Sequence, residues 1–135
     1  MALVNWDSSL SVNVSEVDNQ HKKLIQLIND LNDAMKSGKS KEVVFTTING
    51  LANYTATHFR FEEQQFEKFG YAHTAAHKAL HAEFERRVQN FKTDIQNGKL
   101  GTSIEVLNFL VSWLKNHIMI EDRKYTELFN KNGLL

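Results

Sequence analysis

The chain has 135 residues, with 16 basic and 16 acidic side chains that cancel, and neither cysteine nor proline. That length suits a single domain with one sizeable core, and a neutral, well-mixed charge argues against nucleic acid or an anionic membrane as partner, since both need a concentrated basic patch. The lack of cysteine excludes disulfides, thiolate zinc sites, iron-sulfur clusters and covalently attached haem, and fits a reducing compartment.

The N-terminal stretch MALVNWDSSLSVNVSEVDNQ carries neither a basic n-region nor a long apolar run. No signal peptide and no membrane insertion are expected, and the cytoplasm is the expected location. Residues 1–17 read as an extended arm, anchored by Trp6 against a bundle spanning 18–130, the whole of 1–135 forming one domain.

Beyond the arm, apolar residues recur at alternating three- and four-residue steps, the mark of amphipathic helices. Leu24, Ile28, Leu31 and Met35 predict a helix over 18–37, closed by Gly38. Val44, Ile48, Leu51 and Tyr54 predict one over 41–69, with Ser40 as N-cap and Gly70 at its end. Phe84, Val88, Phe91 and Ile95 predict a third over 72–97, ended by Gly98. Leu107, Leu110 and Leu114 predict a fourth over 102–130, opened by a capping box of Thr102 and Glu105. Short connections make neighbours antiparallel, so the expected architecture is all-α: an up-down-up-down antiparallel four-helix bundle.

Five of the six histidines fall on these stripes. His21 precedes Leu24 by three, His58 follows Tyr54 by four, His77 and His81 lead into Phe84, and His117 follows Leu114 by three. One inward histidine is ordinarily a core residue satisfied by a nearby carbonyl. Five are a different matter, because each buried imidazole needs partners for its ring nitrogens or costs ~1 to 3 kcal/mol. A metal satisfies one nitrogen of each.

His58 and Glu62, like His77 and His81, are four apart, so each pair shares a helix face, with about 6 Å of rise between its members. On the fourth helix spacing leaves the second carboxylate open. Glu121 sits four after His117, whereas Asp122 sits five after, roughly 140° round an ideal helix, unless a π-type bulge or an offset pair of metals recruits it. Five imidazoles and two carboxylates are too many for a tetrahedral zinc and awkward for one octahedral ion. They suit two bridged metals and leave one coordination position open. A donor set of nitrogen and oxygen without thiolate favours iron over manganese, copper or zinc.

His21, HFRFE, HKALH and HIMIED, with the flanking blocks DNQHKKLI, GYAHTAAHKALH and WLKNHI, resemble the hemerythrin family over essentially the whole chain, and specifically its free-standing bacterial members. The resemblance implies two non-haem iron ions, cycling between Fe2+ and Fe3+ and joined by an oxo or hydroxo bridge. It implies Asp122 rather than Glu121 as the second carboxylate. His77, His81 and His117 would hold one iron, His21 and His58 the other, with Glu62 and Asp122 bridging. The implied function is reversible binding of dioxygen for carriage, storage or local supply, which is binding rather than enzymatic activity. An apolar pocket is then needed, and Leu24, Trp113, Leu114 and Ile118 are its candidate walls because each lies within one turn of His21 or His117. His73 matches no ligand of the family and is assigned to the surface at the start of the third helix. Phe66 is bulkier than the methionine associated with its position. Arg60, His73 and Arg123 are expected to face mostly outward, with little effect on the metals.

Other readings fit less well. A ferritin-like oxidase or iron-storage bundle uses Glu-x-x-His on two helices, and no glutamate here has a histidine three positions on. A bis-histidine haem bundle would leave three inward histidines and both carboxylates idle. A zinc hydrolase lacks its His-Glu-x-x-His motif. A sensor of dioxygen or nitric oxide would use the same iron pair, but no signalling module accompanies it. An oxygen-consuming enzyme is a conceivable partner, and with no long apolar surface stripe a monomer is slightly favoured.

Overall fold

A computed structural model describes residues 4–38, 41–98 and 103–135. Four main helices run in alternating directions: α1 Ser15–Lys36, α2 Lys41–Phe69, α3 Thr74–Gln96 and α4 Ser103–Asn116. A π-helical turn, His117–Glu121, and a 3-10 turn, Asp122–Tyr125, follow before a short α5, Thr126–Lys131. Among the described residues there is no strand, and no helix is long and apolar enough to cross a membrane. The architecture is the antiparallel four-helix bundle with an N-terminal arm that the periodicity predicts. The expected Ser40 N-cap and the Thr102–Glu105 capping box fall on Ser40 and Thr102, outside the described residues.

The stripes form the core. Leu24, Ile28 and Leu31 from α1, Ile48 and Leu51 from α2, Phe84 and Val88 from α3 and Leu110 from α4 are all buried. α2 packs against both α1 and α3, and α1 also packs against α4. Between α3 and α4 the space is bridged by rings, with Phe84 to Trp113 at 4.3 Å and Phe91 to Phe109 at 5.8 Å between centroids. The end of α2 shows why a glycine stands there. Gly70 takes φ +69°, which lets the Tyr71 N–H reach back to the Phe66 carbonyl at 2.9 Å and close the helix.

The arm is fastened by more than Trp6. Val4, Leu10, Val12 and Val14 are buried, each contributing about 1.5 to 3 kcal/mol of apolar burial. Asn29 of α1 clamps the Val4 backbone from both sides, accepting from its N–H at 3.0 Å and donating to its carbonyl at 2.8 Å. Trp6 is half-buried against the core beneath the Lys22 ammonium, 4.4 Å from its ring centre. Asp18, in the first turns of α1, ties the arm to the helix, accepting from the Ser11 hydroxyl at 2.6 Å and the Val12 N–H at 2.9 Å. Val14, at the cap position, makes no side-chain cap bond.

The fourth helix departs from expectation. Instead of one continuous α-helix over 102–130, the backbone leaves α geometry at His117 and regains it at Thr126. The widened turn is closed by the Asp122 N–H bonding to the His117 carbonyl five residues back. Beyond it, Tyr125 and Phe129 return to the core, stacked at 4.2 Å.

The arm generates a prediction. Asp18→Ala removes two bonds to a carboxylate and lowers stability by about 2 kcal/mol, measured by denaturant unfolding. A change below about 0.5 kcal/mol would mean that the valines alone hold the arm.

Candidate metal centre

All seven residues singled out from the sequence meet in the middle of the bundle. α1 brings His21, α2 brings His58 and Glu62, α3 brings His77 and His81, and the π segment brings His117 and leads to Asp122. None is more than 4% exposed. The donor atoms fall into two groups within 4.8 Å: Glu62, His77, His81, His117 and Asp122 in one, and His21, His58, Glu62 and Asp122 in the other. Both carboxylates belong to both groups, one of which has three imidazoles and the other two.

The distances have a pattern. Nε2 of His21 lies 3.0 Å from Asp122 Oδ2, and Nε2 of His77 and His117 lie 3.0 and 3.1 Å from Asp122 Oδ1. His58 Nε2 is 3.0 Å from Glu62 Oε1, and the Nε2 atoms of His81 and His117 face each other at 3.2 Å. Two ligands at right angles on a cation with bonds of about 2.1 Å stand ~3.0 Å apart, against ~3.4 Å for a tetrahedral pair. The spacing matches an octahedral edge, and equally the length of an ordinary N–H···O contact. The His81 Nε2 to Glu62 Oε1 separation, 3.5 Å, is the loose one.

Hydrogen bonding among the seven does not account for this convergence. Both oxygens of Glu62, both of Asp122, and Nε2 of His21 and His77 are buried with no hydrogen-bond partner. Six orphaned polar atoms crowded together would carry a large desolvation cost. A cation in each group removes it, so the residues present fit a pair of metal ions.

Local backbone geometry decides which carboxylate joins. In an unbroken α-helix Glu121 would sit above His117, but the π turn takes up one extra residue and turns Asp122 inward. Glu121 is left facing out, its side chain 31% exposed and paired with Lys124 at 3.2 Å. His73 lies exposed at the start of α3, away from the cluster.

Two residues that sequence reasoning passed over hold the far side of the imidazoles. His58 Nδ1 donates to Gln20 Oε1 at 2.6 Å, and His81 Nδ1 donates to Glu63 Oε2 at 2.8 Å. Each bond leaves the Nε2 lone pair free to face the centre. Their one signal in the sequence is adjacency, Gln20 to His21 and Glu63 to Glu62; the pairing itself crosses between helices. Phe59 stacks on His81, 3.7 Å between centroids and 2° from parallel. Phe66 packs edge-on to His77 at 4.8 Å.

Leu24, Leu114 and Ile118 are buried. Trp113 stands differently: half-buried, it stacks on His117 at 4.4 Å and 11°. With Leu80, Asn116, His117, Ile120 and Glu121 it lines a surface groove of about 220 Å³. That puts it against the three-imidazole group, not beside His21 and His58.

Electrostatics follow from burial and crowding. Burial and the neighbouring Asp122 charge push the Glu62 pKa up, but attraction to His58 and the close approach of the His58 and His81 nitrogens outweigh them and hold it below 4.5. Asp122 is likewise pushed up by burial and held well below 3.8 by His117, His21 and His77. Burial is the largest single influence on His117 and pushes it down, but Asp122 together with the Glu62 and Glu121 charges outweighs it and holds His117 above 6.5. Tyr71 and Tyr125 bury hydroxyls without partners; burial and the site's carboxylates push Tyr71 up to about 12 and Tyr125 well above 10. Both phenols keep their protons at any physiological pH.

These shifts give the metal-free chain a definite pH response. The carboxylates' contribution is present above their ordinary values and lost on acidification through their lowered ones. The His117 contribution is complete below 6.5 and lost as pH rises through its raised value. Stability of the chelated protein therefore falls as pH rises above 6.5. With metal bound it rises over the same interval, because ligands must shed protons to bind. Thermal unfolding of both forms across that interval checks this, and slopes of the same sign would refute it.

Comparison with known proteins agrees with the geometry. The family model described as Hemerythrin HHE cation binding domain matches residues 12–129. A bacteriohemerythrin of Pseudomonas aeruginosa is 37% identical over 94% of this chain and 82% of its own length. One from Methylococcus capsulatus is 32% identical over 93% and 95%. A hemerythrin-like protein of Naegleria gruberi is 36% identical over 90% and 89%. The crystal structure of a wild-type hemerythrin superposes with a TM-score of 0.88, at 30% identity, covering 94% of this chain and 98% of that one. A family match over most of the length, on a bundle whose buried histidines and carboxylates can hold metal, places this chain in the hemerythrin family.

Proposed function

We propose that the chain binds dioxygen reversibly at a pair of iron ions, joined by an oxo or hydroxo bridge, for carriage, storage or local supply. The observation that supports this most is the uneven sharing at the centre. Glu62 and Asp122 belong to both donor groups, but three imidazoles complete one group and two complete the other. In this reading His77, His81 and His117 would hold one iron and His21 with His58 the other, with Glu62 and Asp122 shared between them. The smaller set of imidazoles would leave room there for a small ligand. When bound, the pair supplies a binding position and one electron from each iron to share with dioxygen.

The chain's own contribution is containment. The two carboxylate charges would offset part of the metals' charge without a mobile counter-ion. Leu24, Leu114 and Ile118, all buried, would keep water from a captured oxygen molecule, so that it leaves as dioxygen rather than as a protonated, reduced product. Phe59, stacked on His81, and Phe66, against His77, restrain the rings at their outer faces. The carboxylate and imidazole donors, with no thiolate, favour iron. Relatives matched over more than nine-tenths of this chain bear the name bacteriohemerythrin, which supports the same reading.

The test is an optical spectrum with iron analysis on protein reduced without air, exposed to dioxygen, then returned to an oxygen-free atmosphere. Two irons per chain and a visible band that appears with dioxygen and fades on its removal are expected. A one-way conversion to a stable diferric spectrum would overturn carriage in favour of an oxidase or a sensor. Replacing Leu114 by valine, which costs less stability than alanine, should speed loss of the oxygenated form several-fold by admitting water. An unchanged rate would remove Leu114 from the pocket.

A further inference from the structure

The two imidazoles with outer hydrogen bonds are not treated alike. His58, in the two-imidazole group, leans on a neutral amide, Gln20. His81, in the three-imidazole group, leans on a carboxylate, Glu63. Glu63 is in turn ion-paired: the Arg60 Nε lies 3.1 Å from its Oε1, and an Arg60 Nη2 donates to its Oε2 at 3.2 Å. The same Nη2 donates to Glu85 of α3 at 2.7 Å. The chain His81, Glu63, Arg60, Glu85 thus runs from a fully buried imidazole to a guanidinium whose side chain is 53% exposed. Helical phase does turn Arg60 outward, as its sequence position suggests, yet it touches the carboxylate that touches the imidazole.

We propose that Glu63 and Arg60 form a charge relay that sets the electron richness of the metal held by His81, and makes the two metals of the pair unequal. The proposal rests on the di-iron reading above and goes beyond it by naming what tunes the site. An imidazole that donates its Nδ1–H to a carboxylate becomes a stronger donor through Nε2 than one donating to an amide. A stronger donor stabilises the ferric state over the ferrous. Arg60 opposes this, because it draws Glu63 charge toward itself and away from His81. The two residues therefore act with opposite sign on the same atom. Glu85 holds Arg60 in place from the neighbouring helix. Both are positioning residues, acting on the metal only through His81.

Opposite sign separates this from a merely structural role, in which any substitution would loosen the site. Glu63→Gln keeps the shape and the acceptor while removing the charge. The ferrous-to-ferric ratio at a fixed applied potential should rise about tenfold, equivalent to 59 mV for one electron. Arg60→Met keeps the stem and removes the opposing charge, and the ratio should fall. Gln20→Glu should also lower it, by giving His58 the carboxylate that His81 already has. Spectroelectrochemical titration of the iron-loaded variants reads all three. A shift of the same sign in Glu63→Gln and Arg60→Met, or none in either, would overturn the relay.

A second measurement keeps this apart from the di-iron reading. Nitrogen NMR of the histidines in metal-free protein reports the His81 tautomer. The Nδ1–H form should dominate in the parent chain and lose its downfield proton shift in Glu63→Gln. If that shift is the same in both, the Glu63 contact is wrong whatever the metals do. If the NMR holds but the potentials do not move on a protein that binds dioxygen reversibly, the relay fails while the function stands. A protein that takes up no iron pair would overturn the function, and the relay with it.

Discussion

Two carboxylates buried in the middle of a helical bundle are the constraint on which the rest of this protein depends. Glu62 and Asp122 are fully buried, and their four oxygens have no hydrogen-bond donor. Isolated carboxylates at such positions would either take up protons or unfold the bundle. Here the neighbouring imidazoles hold both pKa values down, so the charges persist and the interior carries a standing demand for positive charge. Metal ions would meet that demand, and the two carboxylates, which belong to both donor groups, would be shared between them.

The helices are arranged to serve this point. The i, i+4 pairs His58–Glu62 and His77–His81 come at no conformational cost, because any α-helix brings such residues onto one face. The third pair does not. Asp122 lies five positions after His117, and the chain accepts a π turn to align them, with the Asp122 N–H donating to the His117 carbonyl. The aromatic residues beyond the turn, Tyr125 and Phe129, pack against Phe66 and hold the departed backbone against the core. Departure from regular helix is confined to the stretch where a ligand must be aimed.

Around the centre the packing is asymmetric. His81 lies between Phe59 and Glu63, and His117 lies under Trp113, whose indole forms part of a surface groove. His58 leans on a neutral amide, with Phe59 at 5.9 Å between ring centroids. Of His58 and His81, only the latter is backed by a carboxylate that connects to surface charge.

The first three helices, the start of the fourth, their antiparallel order, the five inward histidines and Glu62 were legible in the sequence, because each rests on local periodicity; the break in the fourth helix at His117 was not. Hydrophobic stripes and residues four apart are properties of a single helix, and Gly70 could be read as a terminus because no other residue takes its φ freely. Asp122 was legible only through likeness to a family, since choosing it over Glu121 requires a π turn that no local spacing announces. The partners Gln20 and Glu63 were not legible at all. Gln20 is separated from His58 by 38 residues, and Glu63 from His81 by 18, so those contacts exist only when helices pack side by side. The nearness of Trp113 to His117 could be read from their four-residue spacing, but not its place on a surface groove. Sequence alone determined which chemistry is buried, because periodicity fixes the face of a helix; the tertiary structure alone decided what stands behind each imidazole, because that depends on the rotation and offset between helices.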